Sequence, residues 1–260
     1  MNAARLFVFI AAFLAVANPP ARADDIPLAE RRSGYDQMSA ALKAMQDDDT
    51  ANPGMLWVLE GEALWSAKAT TAGKACADCH GDGTESMKGV AARHPAYDEK
   101  RGQVVNLAGR IEACRVERQG LAPLGPDAKE SLALAAYVAR QSRNLPITID
   151  EKALATTIAA GRQLFIARQG HLDLSCAHCH EANWGRKLAG LPLSQGHTTG
   201  YPLYRLEWQS LGSLYRRLRA CLFGMRAAYY PPGATEYLAL ETYLMWRARG
   251  LPMESPAVRP

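Results

Sequence analysis

The chain has 260 residues, of which 48% are hydrophobic, and its 30 Lys and Arg against 26 Asp and Glu give a formal net charge of +4. So small an excess of positive charge argues against nucleic acid or an anionic membrane surface as a partner. After the N-terminal segment, no stretch approaches the roughly 18 uninterrupted apolar residues of a transmembrane helix, so no membrane span is expected.

Residues 1–23 have the three parts of a secretory signal peptide. Arg5 gives a short basic start, residues 6–16 form an apolar run, and the small residues Ala21 and Ala23 mark a cleavage site. The pattern predicts export, which in a Gram-negative cell means a periplasmic location.

The attachment motif of a c-type haem, C-x-x-C-H, occurs twice, one hundred residues apart. It consists of Cys76, Cys79 and His80 in the first half and of Cys176, Cys179 and His180 in the second. In this motif each thiol forms a thioether to the haem and the adjacent imidazole binds the iron. Two covalently attached haem c groups are therefore predicted.

A zinc site or a redox-active dithiol could also use a C-x-x-C spacing. A zinc site would leave the two adjacent histidines unexplained. A thioredoxin-like dithiol would need a βαβ setting, which the sequence lacks.

Helices around the two motifs repeat as well. Gly61, Leu64 and Trp65 match Gly161, Leu164 and Phe165, each glycine lying 15 residues before a haem cysteine, and the segment 134–138 matches 240–244. A break at 145–150 separates the halves, since Pro146 disfavours helix before it and Asp150 suits a helix cap. The sequence predicts an all-α fold of two class I cytochrome c-like domains, 24–149 with an N-terminal extension and 150–260. The helical periodicity within the extension favours an arm packed on the first domain.

Each haem iron also needs a second axial ligand or an open site. Cys114 lies 38 residues after Cys76 and Cys221 lies 45 after Cys176, where a distal ligand is expected, and each follows an arginine four positions earlier. The competing candidates are Met87 and His94 in the first half and Met225 and His197 in the second.

A disulfide between Cys114 and Cys221, or two buried free thiols, would be natural alternatives in an exported protein. The matching positions in the two repeats argue against both. We therefore predict His80 with Cys114, and His180 with Cys221, as the axial pairs.

Arg217 stands out beside Cys221. A helix from about Arg205 to Met225 would place Arg217 on the same face as Cys221 and point Arg219 away. A guanidinium there would favour the thiolate and could bind an oxyanion through paired hydrogen bonds. A solvated basic face, or pairing with a haem propionate, remains an alternative. Glu112 lies near Cys114, whereas several arginines surround Cys221, so an anion should prefer the second site.

Together, the two C-x-x-C-H motifs, the cysteine after each and Arg217-x-x-x-Cys221 resemble SoxA, the dihaem subunit of the SoxAX cytochrome of bacterial thiosulfate oxidation. The resemblance runs from the signal peptide to the C-terminus. It implies an L-cysteine S-thiosulfotransferase that joins thiosulfate oxidatively to a cysteine of the carrier protein SoxYZ.

The resemblance also implies roles for single residues. The cysteine matching Cys221 would be both haem ligand and active-site sulfur, held as a persulfide, and the arginine matching Arg217 would contact the substrate. Electrons would leave through the haem of a SoxX-like monohaem partner. The alternatives are a thiosulfate dehydrogenase that forms tetrathionate and a plain dihaem electron carrier. Thiolate ligands argue against the carrier, because they lower the potential.

Overall fold

The computed structural model describes residues 25–68 and 73–260, so the predicted signal peptide lies outside the described residues. The helices are α1 Ala40–Asp47, α2 Met55–Ser66, α3 Ala77–His80, α4 Gly83–Ser86, α5 Leu107–Gln119, α6 Lys129–Arg140, α7 Ala155–Ile166, α8 Cys176–His180, α9 Leu214–Gly224 and α10 Thr235–Arg247. The short strands are β1 Ala96–Asp98, β2 Gln103–Val105, β3 Lys187–Leu188, β4 Leu191–Pro192, β5 Leu203–Arg205, β6 Ser210–Gly212 and β7 Val258–Arg259.

The fold is predominantly helical and consists of two repeated halves. In each half the helix before the haem motif packs on the last long helix, α2 on α6 and α7 on α10. A β-carbon on Gly61 would stand 2.1 Å from the carbonyl oxygen of Ala133, and one on Gly161 would stand 2.0 Å from that of Ala239. Only glycine permits such close helix contact, so the repeated glycines have the same packing role in both halves.

The two halves pack against each other through a shared apolar core. Seven buried residues from both halves form one apolar cluster, comprising Ala91, Ala92, Ala139, Ile147, Met245, Ala248 and Met253. The linker that contains Ile147 is held by backbone hydrogen bonds to Gly250 and Leu251 of the second half. The break between the repeats is therefore a packed connection.

Asp150 does not cap α7 itself. Its side chain accepts a hydrogen bond from the Ala153 backbone at 2.9 Å, which caps the turn that leads into the helix. The helix begins at Ala155, after Leu154. The predicted cap therefore acts a few residues earlier than expected.

The segment 25–54, called the N-terminal arm below, packs mainly on the second half. The Arg32 amide donates to Gln195 Oε1 at 2.7 Å, Gln37 Nε2 donates to the Leu193 carbonyl at 3.1 Å, and Asn52 Nδ2 donates to the Pro256 carbonyl at 2.9 Å. Asp49 also pairs with the first half, with its Oδ2 2.7 Å from Arg140 Nη2. The expected packing of the arm on the first domain is present through Asp49 and Met45, but most of the arm's hydrogen bonds are made with the second half.

The segment 203–213 differs from the predicted helix. The strands β5 and β6 pair as an antiparallel hairpin, and β7 joins β5 in parallel. The helix α9 begins only at Leu214, where Ser213 Oγ accepts a hydrogen bond from the Arg216 backbone at 3.1 Å. A serine side chain can accept a hydrogen bond from a free backbone amide of the first helical turn, so Ser213 caps the helix and sets its start.

Candidate functional site

The first predicted site is a cavity of about 420 Å³ in the N-terminal half. Its lining includes all four residues predicted to bind the first haem, namely Cys76, Cys79, His80 and Cys114. Burial raises the pKa of the Cys76 thiol, and the neighbouring Cys114 contributes to that rise. The structure thus brings the motif and the later cysteine into one cavity.

Helix α5 positions Cys114. It begins after Asn106, whose side chain accepts a hydrogen bond from the Gly109 backbone at 2.8 Å, and it ends at Gly120 in a left-handed conformation. Two arginines near Cys114 have acidic partners. Arg110 lies 2.5 Å from Asp98, and Arg115 lies 2.9 Å from Glu112.

The two competing ligand candidates, Met87 and His94, line the same cavity. The Nδ1 of His94 is 2.7 Å from the Val90 carbonyl oxygen, and burial lowers its pKa, so the imidazole is neutral at pH 7. The geometry therefore places Cys114 at the first site, and it does not exclude Met87 or His94 as the second iron ligand.

In the second half, the motif forms the short helix α8. Ser175, buried at its start, lies with Oγ 2.7 Å from His178 Nδ1, which fixes that histidine at the helix start. The Nδ1 of His180 is 2.8 Å from the Ser194 carbonyl oxygen. The carbonyl accepts a hydrogen bond from Nδ1–H, which fixes the tautomer with an unprotonated Nε2 that can bind a metal, a typical arrangement of ligating histidines.

Cys221, on α9, faces His180. Burial acts to raise the pKa of Cys221, but a hydrogen bond with His180 and the charges of Arg217, His180 and Arg205 bring it below its ordinary value. Burial raises the pKa of Cys176 to about 12, with a contribution from Cys221. The structure thus brings the residues predicted to bind the second haem close together. Among their three thiols, only that of Cys221 has its pKa lowered, which favours the thiolate.

Arg217 lies one helical turn before Cys221 on α9, as predicted, although the helix is shorter than expected. The other two arginines of the helix have aromatic partners. Arg216 lies over the Trp208 ring at 4.2 Å, and exposed Arg219 lies over Tyr229 at 4.6 Å. Among residues 25–68 and 73–260, no ion pair is formed by Arg217.

Cys114 and Cys221 are free thiols in different halves of the structure, and neither forms a disulfide. Met225 and His197, the competing candidates in the second half, also lie near the motif, Met225 in the cluster against which Cys176 packs and His197 close enough to interact with His180. Met225 belongs to the apolar core beside α9, and His197 Nε2 is 3.0 Å from Gln195 Oε1.

Sequence analysis missed two residues that surround Cys221. Arg205 ends strand β5, and Tyr201 precedes that strand, and electrostatic interactions of both reach Cys221 and Arg217. The sequence prediction extended the helix back to Arg205 and so did not include the β5–β6 hairpin. The strand β5 and the residues before it place these two side chains near Cys221.

The residues of both sites suit a covalently bound haem. Each offers two thiols and an imidazole in the attachment order, with a further cysteine nearby. The first cavity has a size typical of ligand pockets, and apolar side chains and arginines line it, as a ring with two propionates requires. The residues that would hold the groups are thus present in both halves.

A family model described as "SoxA/TsdA, cytochrome c domain" matches the chain twice, over residues 60–147 and 160–253. The chain belongs to this family. The two matched segments correspond to the two repeated halves, so the predicted tandem of cytochrome c domains is confirmed. Membership implies covalently bound haem c.

Curated members of the SoxA family are similar over most of their length. A protein named "L-cysteine S-thiosulfotransferase subunit SoxA" from Rhodovulum sulfidophilum is 39% identical, covering 88% of this chain and 80% of its own. The protein of the same name from Pseudaminobacter salicylatoxidans is 37% identical, covering 90% of this chain and 82% of its own.

A solved structure shares the SoxA fold. The crystal structure of SoxXA from P. pantotrophus matches with a TM-score of 0.85 and 31% identity, over 88% of this chain and 87% of the other. In the part of the chain that the structure describes, no helix combines the length and apolarity needed to cross a membrane.

Proposed function

We propose that this chain is a dihaem L-cysteine S-thiosulfotransferase subunit that acts on thiosulfate in the periplasm. It joins the outer sulfur of thiosulfate to the cysteine thiol of a SoxYZ-like carrier. One sulfur–sulfur bond forms, the thiol loses its proton, and two electrons leave. The names and coverage of the curated SoxA relatives support this assignment.

The observation on which this proposal rests is the position of Arg217 beside Cys221, one helical turn away. Arg217 is partly buried and forms no ion pair with any described residue, so its charge is available to an anion. Burial opposes a positive charge there, while the nearby Cys221 and Tyr201 favour it, and the net pKa of Arg217 is raised. A stable, unpaired guanidinium beside a sulfur ligand is suited to bind a sulfur oxyanion.

The corresponding arginine of the first half supports the assignment by contrast. Arg110 has the same offset from Cys114, but its charge is neutralised by Asp98 at 2.5 Å. Glu112 adds a further carboxylate to that helix. The first site therefore supports the fold or electron transfer, and substrate chemistry belongs to the second.

We assign the residues of each site as follows. Cys76 and Cys79 would attach the first haem and Cys176 and Cys179 the second. His80 with Cys114, and His180 with Cys221, would bind the two irons. When bound, the second haem would supply an electron acceptor. In this account Cys221 carries the active-site sulfur as a persulfide, and Arg217 orients the thiosulfate.

The solved structure of the relative from P. pantotrophus is that of SoxXA. We infer that a SoxX-like monohaem cytochrome binds this chain as a heterodimer and receives the electrons. Thiosulfate and a SoxYZ-like carrier are the substrates in this account.

Intact-mass analysis of the exported protein tests the proposal, together with reconstitution. We expect a mass that includes two haems and a sulfur adduct on Cys221. With the SoxX-like partner, thiosulfate should reduce an electron acceptor only when the carrier protein is present. Tetrathionate formation without the carrier would instead identify a thiosulfate dehydrogenase, and no turnover in either assay would identify an electron carrier.

A further inference from the structure

A second cavity, of about 270 Å³, opens beside Arg217 between the N-terminal arm and the second half. The described residues that line it include three arginines, Arg205, Arg217 and Arg259, and no Asp or Glu. Arg259 is neutralised by an ion pair with Glu254. The remaining positive charge of the lining therefore comes from Arg205 and Arg217.

Arg205 is held rigidly at the cavity. Its side chain is buried, its Nε donates to the main-chain oxygen of Pro260 at 2.9 Å, and its Nη2 lies 2.9 Å from Glu207. Glu207 is 61% exposed, so water screens this ion pair. The Nη1 of Arg205 forms no hydrogen bond with the described residues, and this donor is available to a bound anion.

Burial lowers the pKa of Arg205, and repulsion from Arg217 lowers it further. The two guanidinium groups therefore lie close enough to interact without an acidic side chain between them in the lining. Two neighbouring buried cations are costly unless an anion binds them.

Tyr201 adds a neutral donor to the same cavity. Burial raises its pKa to about 12, so the hydroxyl keeps its proton at pH 7. Among the residues that the structure describes, the hydroxyl has no hydrogen-bond partner, although Tyr201 lines the cavity. A phenol in this state can donate only to something that enters the cavity.

We propose that Arg205 and Tyr201 complete, with Arg217, the binding site for the substrate dianion. The inference rests on the proposed function and extends it. Thiosulfate has two negative charges and three sulfonate oxygens, which match two guanidinium groups and one hydroxyl donor. Arg217 contacts the end of the anion nearest Cys221, and Arg205 and Tyr201 hold the sulfonate.

The test is an equilibrium titration of the oxidised, haem-loaded heterodimer with thiosulfate, followed by the electron paramagnetic resonance of the haem at His180. It needs neither carrier nor turnover. The variants are Arg205→Gln, Arg205→Lys and Tyr201→Phe. Arg216→Gln is the matched control, since Arg216 stacks on the same Trp208 ring as Arg205 but does not line the cavity.

We expect R205Q to weaken thiosulfate binding about ten- to hundredfold and Y201F about two- to tenfold, as lost charged and neutral hydrogen bonds would. The affinity of R205K for thiosulfate should lie between those of R205Q and the unchanged protein. Lysine keeps the positive charge but cannot make the paired hydrogen bonds of a guanidinium. R216Q should stay within about twofold. The midpoint potential of the haem should be unchanged in R205K, Y201F and R216Q, whereas R205Q also removes a positive charge that acts on Cys221 and should lower it.

Equal affinities of R205Q and R216Q would overturn the proposal. A shifted midpoint potential in R205Q with unchanged thiosulfate affinity would also overturn it, assigning Arg205 to a haem propionate. Where R205Q does not retain both haems, R205K and Y201F decide, and unchanged affinity in both contradicts the proposal. Thiosulfate that binds without being conjugated would refute the proposed function while leaving this site intact.

Discussion

Glu241 Oε2 accepts a hydrogen bond from Asn106 Nδ2 at 2.7 Å, which joins helix α10 of the second half to the start of α5 in the first. Burial raises the pKa of Glu241 from 4.5 to about 7, although the Asn106 bond lowers it somewhat. Between these two pH values the folded protein binds more protons than the unfolded chain. Its free energy of unfolding therefore falls as the pH rises through this range.

Glu241→Gln should remove this pH dependence, because glutamine fills the same space without titrating. We expect the variant to melt a few degrees above the unchanged protein at pH 8 and at the same temperature at pH 4.5. Thermal unfolding at both pH values measures this, with Glu130→Gln on the exposed face of α6 as the control. A melting temperature gain of the same size at both pH values would mean that the charge of Glu241 is not the cause.

Gly161→Ala should destabilise the second half, since the added carbon would stand 2.0 Å from the carbonyl oxygen of Ala239. The helices α7 and α10 must then separate, at a cost of about 1–3 kcal/mol in the free energy of unfolding. Gly125→Ala is the control, because a β-carbon there has no atom within 4 Å. Denaturant unfolding that gives the same midpoint for both variants would contradict the packing role of Gly161.

Cys114→Met should change the spectrum and raise the potential of the first haem while leaving much of the thiosulfate-dependent activity. The reason is that a thioether ligand favours ferrous iron more than a thiolate does, whereas substrate binding belongs to the second site. Electron paramagnetic resonance and a spectroelectrochemical titration check the first part. Complete loss of activity in a folded, fully haem-loaded variant would show that the first site takes part in the chemistry.

Arg217→Ala should reduce catalytic efficiency with thiosulfate about ten- to hundredfold, because a charged hydrogen bond is worth roughly 1.5–3 kcal/mol. Arg219→Ala should have little effect, since exposed Arg219 interacts with Tyr215 and Tyr229. Steady-state kinetics with the SoxX-like partner and the carrier compare the two. Equal losses would show that the charge of the whole helix, and not the position of Arg217, matters.

The repeat could be predicted from the sequence because its signals are local. Gly61 and Gly161 stand at fixed distances before their motifs, and the structure places both against the backbone of the partner helix. The helical position of Arg217 one turn before Cys221 was also predictable, since four residues on a helix share a face.

The contributions from distant segments were not predictable in the same way. Strand β5 is three residues long and pairs with β7 from the end of the chain, so no periodicity could reveal it. Arg205 and Tyr201 reach the second cavity only because this pairing forms. The arm likewise crosses to the second half through hydrogen bonds such as Gln37 to Leu193, which tertiary structure alone decides.

Replacement of Cys221 by Ser tests the central claim most directly. The variant is to be purified with its SoxX-like partner, shown by mass to hold both haems, and assayed for carrier- and thiosulfate-dependent reduction of an electron acceptor. If Cys221 holds the reacting sulfur, turnover is lost and the sulfur adduct disappears from the mass spectrum. Undiminished turnover in the haem-loaded variant would contradict the account and return the chain to the class of electron carriers.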